Sequence, residues 1–275
     1  MKLKKAFFSE TKRYVTGVIL IAILASCILI DIILDNVIFT WIILGVSFLL
    51  GFKEALRLFE CKESYVPYLC LAIVLWCYTF FFETSIESAL FFTMILAGIL
   101  AYKQKITPKA ILAFIYPTIP FIILFTLYRD FGVFIIVWLI LIIAICDSAA
   151  YFGGRIFGKT PLSPTSPKKT IEGVIIGTLF SVVTGGIFGT YFLNYNLFFA
   201  FFISLIIAIS GILGDLFESY LKRKANLKDS GNILPGHGGI LDRFDAILFG
   251  AVTMHYILPS FLPNKSNSLF LLGNL

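Results

Sequence analysis

Charge is scarce in this chain. Of its 275 residues, 14% are Asp, Glu, Lys or Arg and 59% are hydrophobic, whereas soluble domains carry about 25% charged and about 45–50% apolar residues. No segment is polar enough to form a soluble domain, so the two-domain reading that length alone would allow is excluded. Cysteine is also too sparse to build with. Cys27, Cys61, Cys70, Cys77 and Cys146 are odd in number and lack metal-ligand spacing, and four of them lie in apolar runs. They read as small buried side chains, which excludes a disulfide framework. The net charge of +6 might suggest a nucleic-acid binder, but the basic residues sit in short connections between apolar runs. Membrane topology accounts for that pattern and nucleic acid does not.

Long apolar runs are what the chain has in abundance. Crossing the roughly 30 Å hydrocarbon core takes about 20 mostly apolar helical residues. Nine stretches meet or approach that requirement: 14–34, 37–52, 65–82, 86–102, 110–128, 132–154, 172–193, 197–217 and 244–262. Pro117 and Pro120 should kink the fifth. Gly177, Gly185, Gly186 and Gly189 should bring the seventh close to a neighbouring helix. The run ending Leu24-Ala25-Ser26-Cys27 looks like a lipoprotein cleavage site, but it continues through Ile28, Leu29 and Ile30 and reads as an uncleaved first helix. The fold expected is all-α: a polytopic integral membrane protein of about nine transmembrane helices.

Basic residues orient these spans. The N-terminus carries five, the 53–64 loop three, the 103–109 loop three, the 155–171 loop four and the 218–243 loop five. Only Arg129 and Lys265 of the 22 fall elsewhere. The positive-inside rule then puts the N-terminus in the cytoplasm and the C-terminus outside. Residues 1–130 form an N-terminal group of about five spans. Residues 131–275 form a C-terminal catalytic region whose cytoplasmic loops, 155–171 and 218–243, hold most of the reactive side chains. Together these features point to a multi-pass protein of the cell (inner) membrane with a cytoplasmic site.

Three constellations can carry chemistry. In GDLFESYLKRK, Asp215, Glu218, Ser219 and Lys222 share one helical face. A carboxylate as deep as Asp215 is costly and faces a cavity, an ion or a partner; a purely structural Asp215 would pair with Lys222 or Arg223. The second stretch is LKDSGNILPGHGGILDRFD, residues 227–245. Here Lys228, Asp229 and His237 stand among Gly231, Pro235, Gly236, Gly238 and Gly239. Glycine-rich backbone can present several N–H groups to phosphate. Asp242 and Asp245 bracket Arg243 where the last helix begins, and Asp215 with Asp242 could hold Mg²⁺ through oxygen. The third runs DSAAYFGGRIFGK and then SPTSPKKTIEG. Asp147 and Tyr151 share a face, and Ser166, Lys168, Lys169 and Thr170 combine hydroxyls with ammonium groups beside the headgroup plane. A basic inside loop is also ordinary topology, so for the Lys pair alone the two readings stay balanced. Asp147 favours function.

These stretches resemble the integral-membrane phosphatidate cytidylyltransferases, or CDP-diacylglycerol synthases. The family signature is read without a gap from Ser219 to Asp245 as SYLKRKANLKDSGNILPGHGGILDRFD. The DSAAYFGGRIFGK and SPKKTIEG blocks are similar to a second recurrent region, with Ile171 where an aromatic is common. The resemblance implies that CTP and phosphatidate give CDP-diacylglycerol and pyrophosphate, with Mg²⁺ required and a second cation left open. It implies a catalytic set of Asp215, Lys222, Arg223, Lys228, Asp229, His237, Asp242 and Arg243, with Asp215 and Asp242 on the metal. It further implies substrate contacts from Asp147, Tyr151, Arg155, Ser166, Lys168, Lys169, Thr170 and Glu172, and from Glu218, Ser219, Gly236, Gly238, Gly239 and Asp245. The partners implied are CTP, phosphatidate and the lipid bilayer, with no nucleic acid; a homodimer is left open.

The chemistry suits these residue types. The nucleophile is already a phosphate oxygen, so the protein has only to position two polyanions and neutralise charge at the transferring phosphorus. Two alternatives remain. A membrane CTP-dependent lipid kinase would release CDP. An ion-coupled secondary transporter would use Asp147 and Asp215 without nucleotide turnover. The D-G-x-x-A-R pattern of the CDP-alcohol phosphotransferases is absent from the sequence.

Overall fold

A computed structural model describes residues 22–61, 66–82, 86–104, 108–233 and 238–261. The described chain is mostly helical: α1 (Ala22–Leu34), α2 (Ile38–Leu58), α3 (Val66–Phe81), α4 (Ile86–Tyr102), α5 (Pro108–Ile115), α6 (Thr118–Phe131), α7 (Val133–Phe157), α8 (Ile171–Tyr191), α9 (Leu197–Lys224) and α10 (Leu241–Phe261). Among the described residues, five helical segments are long and apolar enough to cross a membrane: α2, the Pro108–Phe131 segment, α7, α8 and α9.

Where the expected spans and the helices differ, local chemistry gives the reason. Tyr116-Pro117 is a cis peptide bond, and the expected kink is a full interruption between α5 and α6. A proline cannot continue the hydrogen-bonded ladder, and it pushes the residue before it out of the helical region. Pro120 lies in the first turn of α6, where a missing N–H costs nothing. The second span does not stop at residue 52. Lys53, Glu54, Ala55, Leu56, Arg57 and Leu58 are all good helix formers and carry α2 six residues further.

The all-helical expectation needs one correction. A two-stranded antiparallel hairpin, β1 (Pro161–Ser163) and β2 (Ser166–Thr170), fills the connection between α7 and α8. Its register pairs Pro161 with Thr170 and Ser163 with Ser166. Pro161, Pro164 and Pro167 bar a helix here. The Ser163 hydroxyl, 2.8 Å from the Thr165 hydroxyl and accepting from the Thr165 amide at 3.3 Å, closes the turn.

The chain divides into two compact units. The first comprises Met1–Phe125 with Lys224–Arg243, the second Thr126–Arg223 with Phe244–Leu275. An aromatic cluster fills the first: Phe48 stacks on Trp76 with ring centroids 5.3 Å apart, Trp41 stacks on Trp76 at 6.2 Å, and Phe52 meets Phe114 edge-on at 5.6 Å. The second is built on close approach of α7 and α8. A Cβ on Gly177 would stand 2.5 Å from the Cys146 carbonyl oxygen and 2.8 Å from the Ala150 Cβ, and one on Gly189 would stand 2.6 Å from the Trp138 ring. The Trp138 indole donates to the Gly185 carbonyl at 2.7 Å. The glycines of the seventh span thus act as the small surface that lets another helix in.

Candidate active site

The first unit holds the glycine-rich turn. Asp242, in the opening turn of α10, accepts three hydrogen bonds on Oδ2: from the Ser230 amide at 2.9 Å, the Ser230 hydroxyl at 3.0 Å and the Gly239 amide at 2.8 Å. One carboxylate oxygen thereby ties both ends of the 230–239 segment to the start of the helix. Gly238 has φ +81, a left-handed conformation that favours glycine, and a Cβ there would meet Asp242 Oδ2 at 2.6 Å. The motif's glycine at this position is therefore a backbone requirement of Asp242. Lys228, Asp229 and Arg243 are exposed around the turn. His237 and Gly236, both expected at the site, lie outside the described residues.

Sequence reasoning missed Glu54. This α2 carboxylate is buried. Its Oε1 accepts from the Ile240 amide at 3.0 Å, and its Oε2 accepts from the Leu241 amide at 2.9 Å and the Ser230 hydroxyl at 2.8 Å. It sits on the N-terminus of α10, where amides lack helical partners and the helix dipole favours an anion. The signal was one acid at the end of an otherwise apolar helical period. The adjoining Lys53 made the pair look like the start of a loop.

The second unit holds the α9 face and the hairpin. Lys169, in β2, pairs through Nζ with Asp215 Oδ2 on α9, and the Ser219 hydroxyl donates to Asp215 Oδ1 at 3.4 Å. Asp215 is therefore paired, but with neither Lys222 nor Arg223. Lys222 instead lies 3.5 Å from the fully buried Glu218, one helical turn away, and Arg223 Nε donates to the Thr165 carbonyl at 3.4 Å. Asp245 lies against Glu218. The face read from GDLFESYLKRK is real, and it gathers acids and ammonium groups into one cluster.

Ser166, Lys168, Lys169 and Thr170 all lie on β2, where successive side chains alternate between faces, with Lys168 exposed. Two of its neighbours have local duties. Thr170 caps α8, its hydroxyl accepting from the Gly173 amide at 3.2 Å. Glu172 accepts from the amides of Lys159 at 3.1 Å and Thr160 at 3.2 Å, fastening the chain where it leaves α7. Asp147, Tyr151 and Arg155 lie on α7 with exposed side chains.

The donor chemistry fits a hard cation. Asp215, in the second unit, and Asp242, in the first, each offer carboxylate oxygen and no sulfur or imidazole, and Mg²⁺ is commonly bound through one or two carboxylates plus substrate phosphates and water. Among the described residues no group of three or more His, Cys, Asp or Glu is arranged to cage a metal alone.

Comparison with known proteins identifies the family. The chain is 45% identical over 269 residues to a phosphatidate cytidylyltransferase of Helicobacter pylori, covering 98% of this chain and 99% of that protein. It is 35% identical to the phosphatidate cytidylyltransferase of Bacillus subtilis over 76% of this chain and 84% of the relative. For that of Thermotoga maritima the figures are 34%, 72% and 78%. The model of the cytidylyltransferase family matches residues 11–261, which takes in both units and every residue of the two clusters, and the chain belongs to that family.

Proposed function

We propose that this protein is a phosphatidate cytidylyltransferase: it joins CTP and phosphatidate to give CDP-diacylglycerol and pyrophosphate. The observation that carries the reading is near-full-length identity to proteins of that name. The Ser219–Asp245 signature and the two acid-centred clusters that it folds into support it.

In this reading the chain's own side chains position and neutralise. A phosphatidate oxygen attacks the α-phosphorus of CTP, and pyrophosphate leaves. Lys222, Arg223, Lys228, His237 and Arg243 contact phosphate oxygens, as do Lys168 and Lys169 from the hairpin side. Backbone amides of the glycine-rich turn add donors. Asp215 and Asp242 are the carboxylates that would hold Mg²⁺. When bound, the metal supplies positive charge to the phosphates between which the bond breaks. None of these groups need act as a nucleophile, so activity depends on placement.

The setting is part of the same proposal. Nine transmembrane helices, an N-terminus in the cytoplasm, a C-terminus outside and residence in the inner membrane follow from the apolar spans and the placement of 20 of 22 basic residues. The site then opens to the cytoplasm, where a water-soluble nucleotide meets a bilayer lipid; a homodimer is compatible with this arrangement.

The test is to incubate detergent-purified protein with phosphatidate, Mg²⁺ and labelled CTP and to identify both products. Labelled CDP-diacylglycerol with stoichiometric pyrophosphate is expected. Release of CDP with a phosphorylated lipid would replace the reading by a CTP-dependent kinase. Flux in vesicles without nucleotide turnover would replace it by a transporter.

A further inference from the structure

We propose that Glu54 is a positioning residue for the reaction. From α2 it fixes the glycine-rich turn and, through Ser230, the orientation of the Asp242 carboxylate. The catalytic side of this inference rests on cytidylyl transfer as the activity; the positioning itself does not.

The geometry is specific to the Glu54 carboxylate. Its two oxygens accept three hydrogen bonds, all from the segment that begins at Ser230 and ends at the first residue of α10. The Ser230 hydroxyl stands 2.8 Å from Glu54 Oε2 and 3.0 Å from Asp242 Oδ2. The single Ser230 O–H is thus shared between the buried acid of α2 and the acid of α10. Glu54 also has Asp242's second anchor within reach. A Cβ on Gly239, whose amide donates to Asp242, would collide with Ser230 Oγ and Glu54 Oε2 and come within 2.6 Å of Glu54 Cδ.

Gly231 gives the most direct mark of this coupling. All three nearest atoms to a Cβ placed there belong to Glu54: Oε1, then Cδ at 2.8 Å and Cγ at 3.2 Å. Two glycines of the signature, Gly231 and Gly239, are thus small because Glu54 occupies the space beside them. A carboxylate buried in an apolar helix is costly unless its oxygens are satisfied. Here the hydrogen bonds that Glu54 accepts come from the turn and the helix start that present Asp242.

An amide cannot take over the role. Glu54→Gln keeps the shape but turns an NH₂ group toward donors on one side, so either Ile240 or the Leu241–Ser230 pair loses its acceptor. In either orientation one backbone amide at the start of α10, Ile240 or Leu241, is left without its acceptor, while the Asp242 carboxylate itself is untouched.

Two measurements on purified full-length protein test this. The first is hydrogen–deuterium exchange of Glu54→Gln against the unsubstituted protein. Exchange at amides 239–241 should rise on the order of tenfold or more, while α7 and α8 stay protected. Unchanged exchange at those amides, or loss of protection throughout, would overturn the positioning role. This arm needs no activity, so it decides positioning even if the protein fails to turn over CTP, a failure that would count against the proposed function alone. The second is Mg²⁺-dependent turnover in a double-mutant cycle of Glu54→Ala with Gly231→Ala. Glu54→Ala should lower kcat by on the order of 10- to 100-fold, the scale of an ångström-level misplacement, with a smaller change in KM for CTP. Gly231→Ala should be harmful alone and add little in the Glu54→Ala background, because the atoms that it would strike are gone. Folded single variants with unsubstituted kcat, or fully additive losses, would reduce Glu54 to a stability residue.

Discussion

Lys169 in the β-hairpin and Asp215 in α9 form an ion pair, so an ammonium group expected to hold substrate phosphate and a carboxylate expected to hold metal neutralise one another. Both side chains are partly exposed, at 32% and 20%, where such a pair contributes about 0–1 kcal/mol. Its value is therefore in placement: each group is held beside its counter-ion. Lys169→Gln should leave Asp215 without this counter-ion and lower kcat on the order of tenfold or more, with little change in melting temperature. Lys168→Gln, at the exposed neighbouring position, should act mainly on KM for substrate. Steady-state kinetics with CTP and phosphatidate varied separately distinguish the two. Activity near that of the unsubstituted protein in both variants, correctly inserted, would return the lysines to simple topological charges.

A packing prediction comes from the same unit. The Cys146 carbonyl and Ala150 leave no room for a side chain at Gly177. Gly177→Leu should force α7 and α8 apart and destabilise the protein by about 1–3 kcal/mol or more. Thermal unfolding in detergent should show the loss, and specific activity of the surviving folded protein should change far less.

Much of this is legible in the sequence. A membrane's thickness fixes helix length, so the apolar runs gave most helices to within a few residues. The glycines of α8 declared close packing because small residues have few other uses there. Asp215, Glu218, Ser219 and Lys222 were placed on one face by the helical period alone. What stayed hidden is tertiary. Asp215 has cations seven and eight positions along its own helix, yet pairs with Lys169 from a hairpin that three prolines had made look like loop. Glu54 has a basic neighbour and a short apolar run before it, so the sequence places it in the 53–64 loop. Its partners Ser230, Ile240 and Leu241 lie more than 170 positions away. No local pattern encodes such a contact.

Topology can be tested by labelling. With the five cysteines replaced, single cysteines at Ser163, in β1, and at Asn232, in the glycine-rich turn, should react only with a reagent on the cytoplasmic side. One at Asn264 should react only from outside. The expectation comes from the distribution of Lys and Arg, and labelling of all three from one side would break the nine-span arrangement.

The two acids proposed for Mg²⁺ should respond alike in activity and differently in stability. Asp215→Asn and Asp242→Asn each remove a charge that an amide cannot supply to a metal, and each should lower turnover by on the order of 10²-fold or more. A changed preference between Mn²⁺ and Mg²⁺ would mark direct ligation. Their structural settings differ. Asp215 has a partly exposed lysine and one long hydrogen bond at 3.4 Å, so its loss should barely move the melting temperature. Asp242 Oδ2 accepts three short bonds from Ser230 and Gly239. An asparagine there can keep those bonds if its carbonyl oxygen takes the Oδ2 position, with the NH₂ at Oδ1. Asp242→Asn should therefore cost at most about 1–2 kcal/mol, as these bonds to a charged acceptor become bonds to a neutral one. Asp242→Ala removes the acceptor outright and should cost more, with raised proteolysis in the 230–239 segment. Melting temperature and Mg²⁺-dependent CTP turnover on the same preparations separate the roles. A folded Asp242→Asn protein with full activity would make Asp242 an anchor for the turn and remove it from the metal.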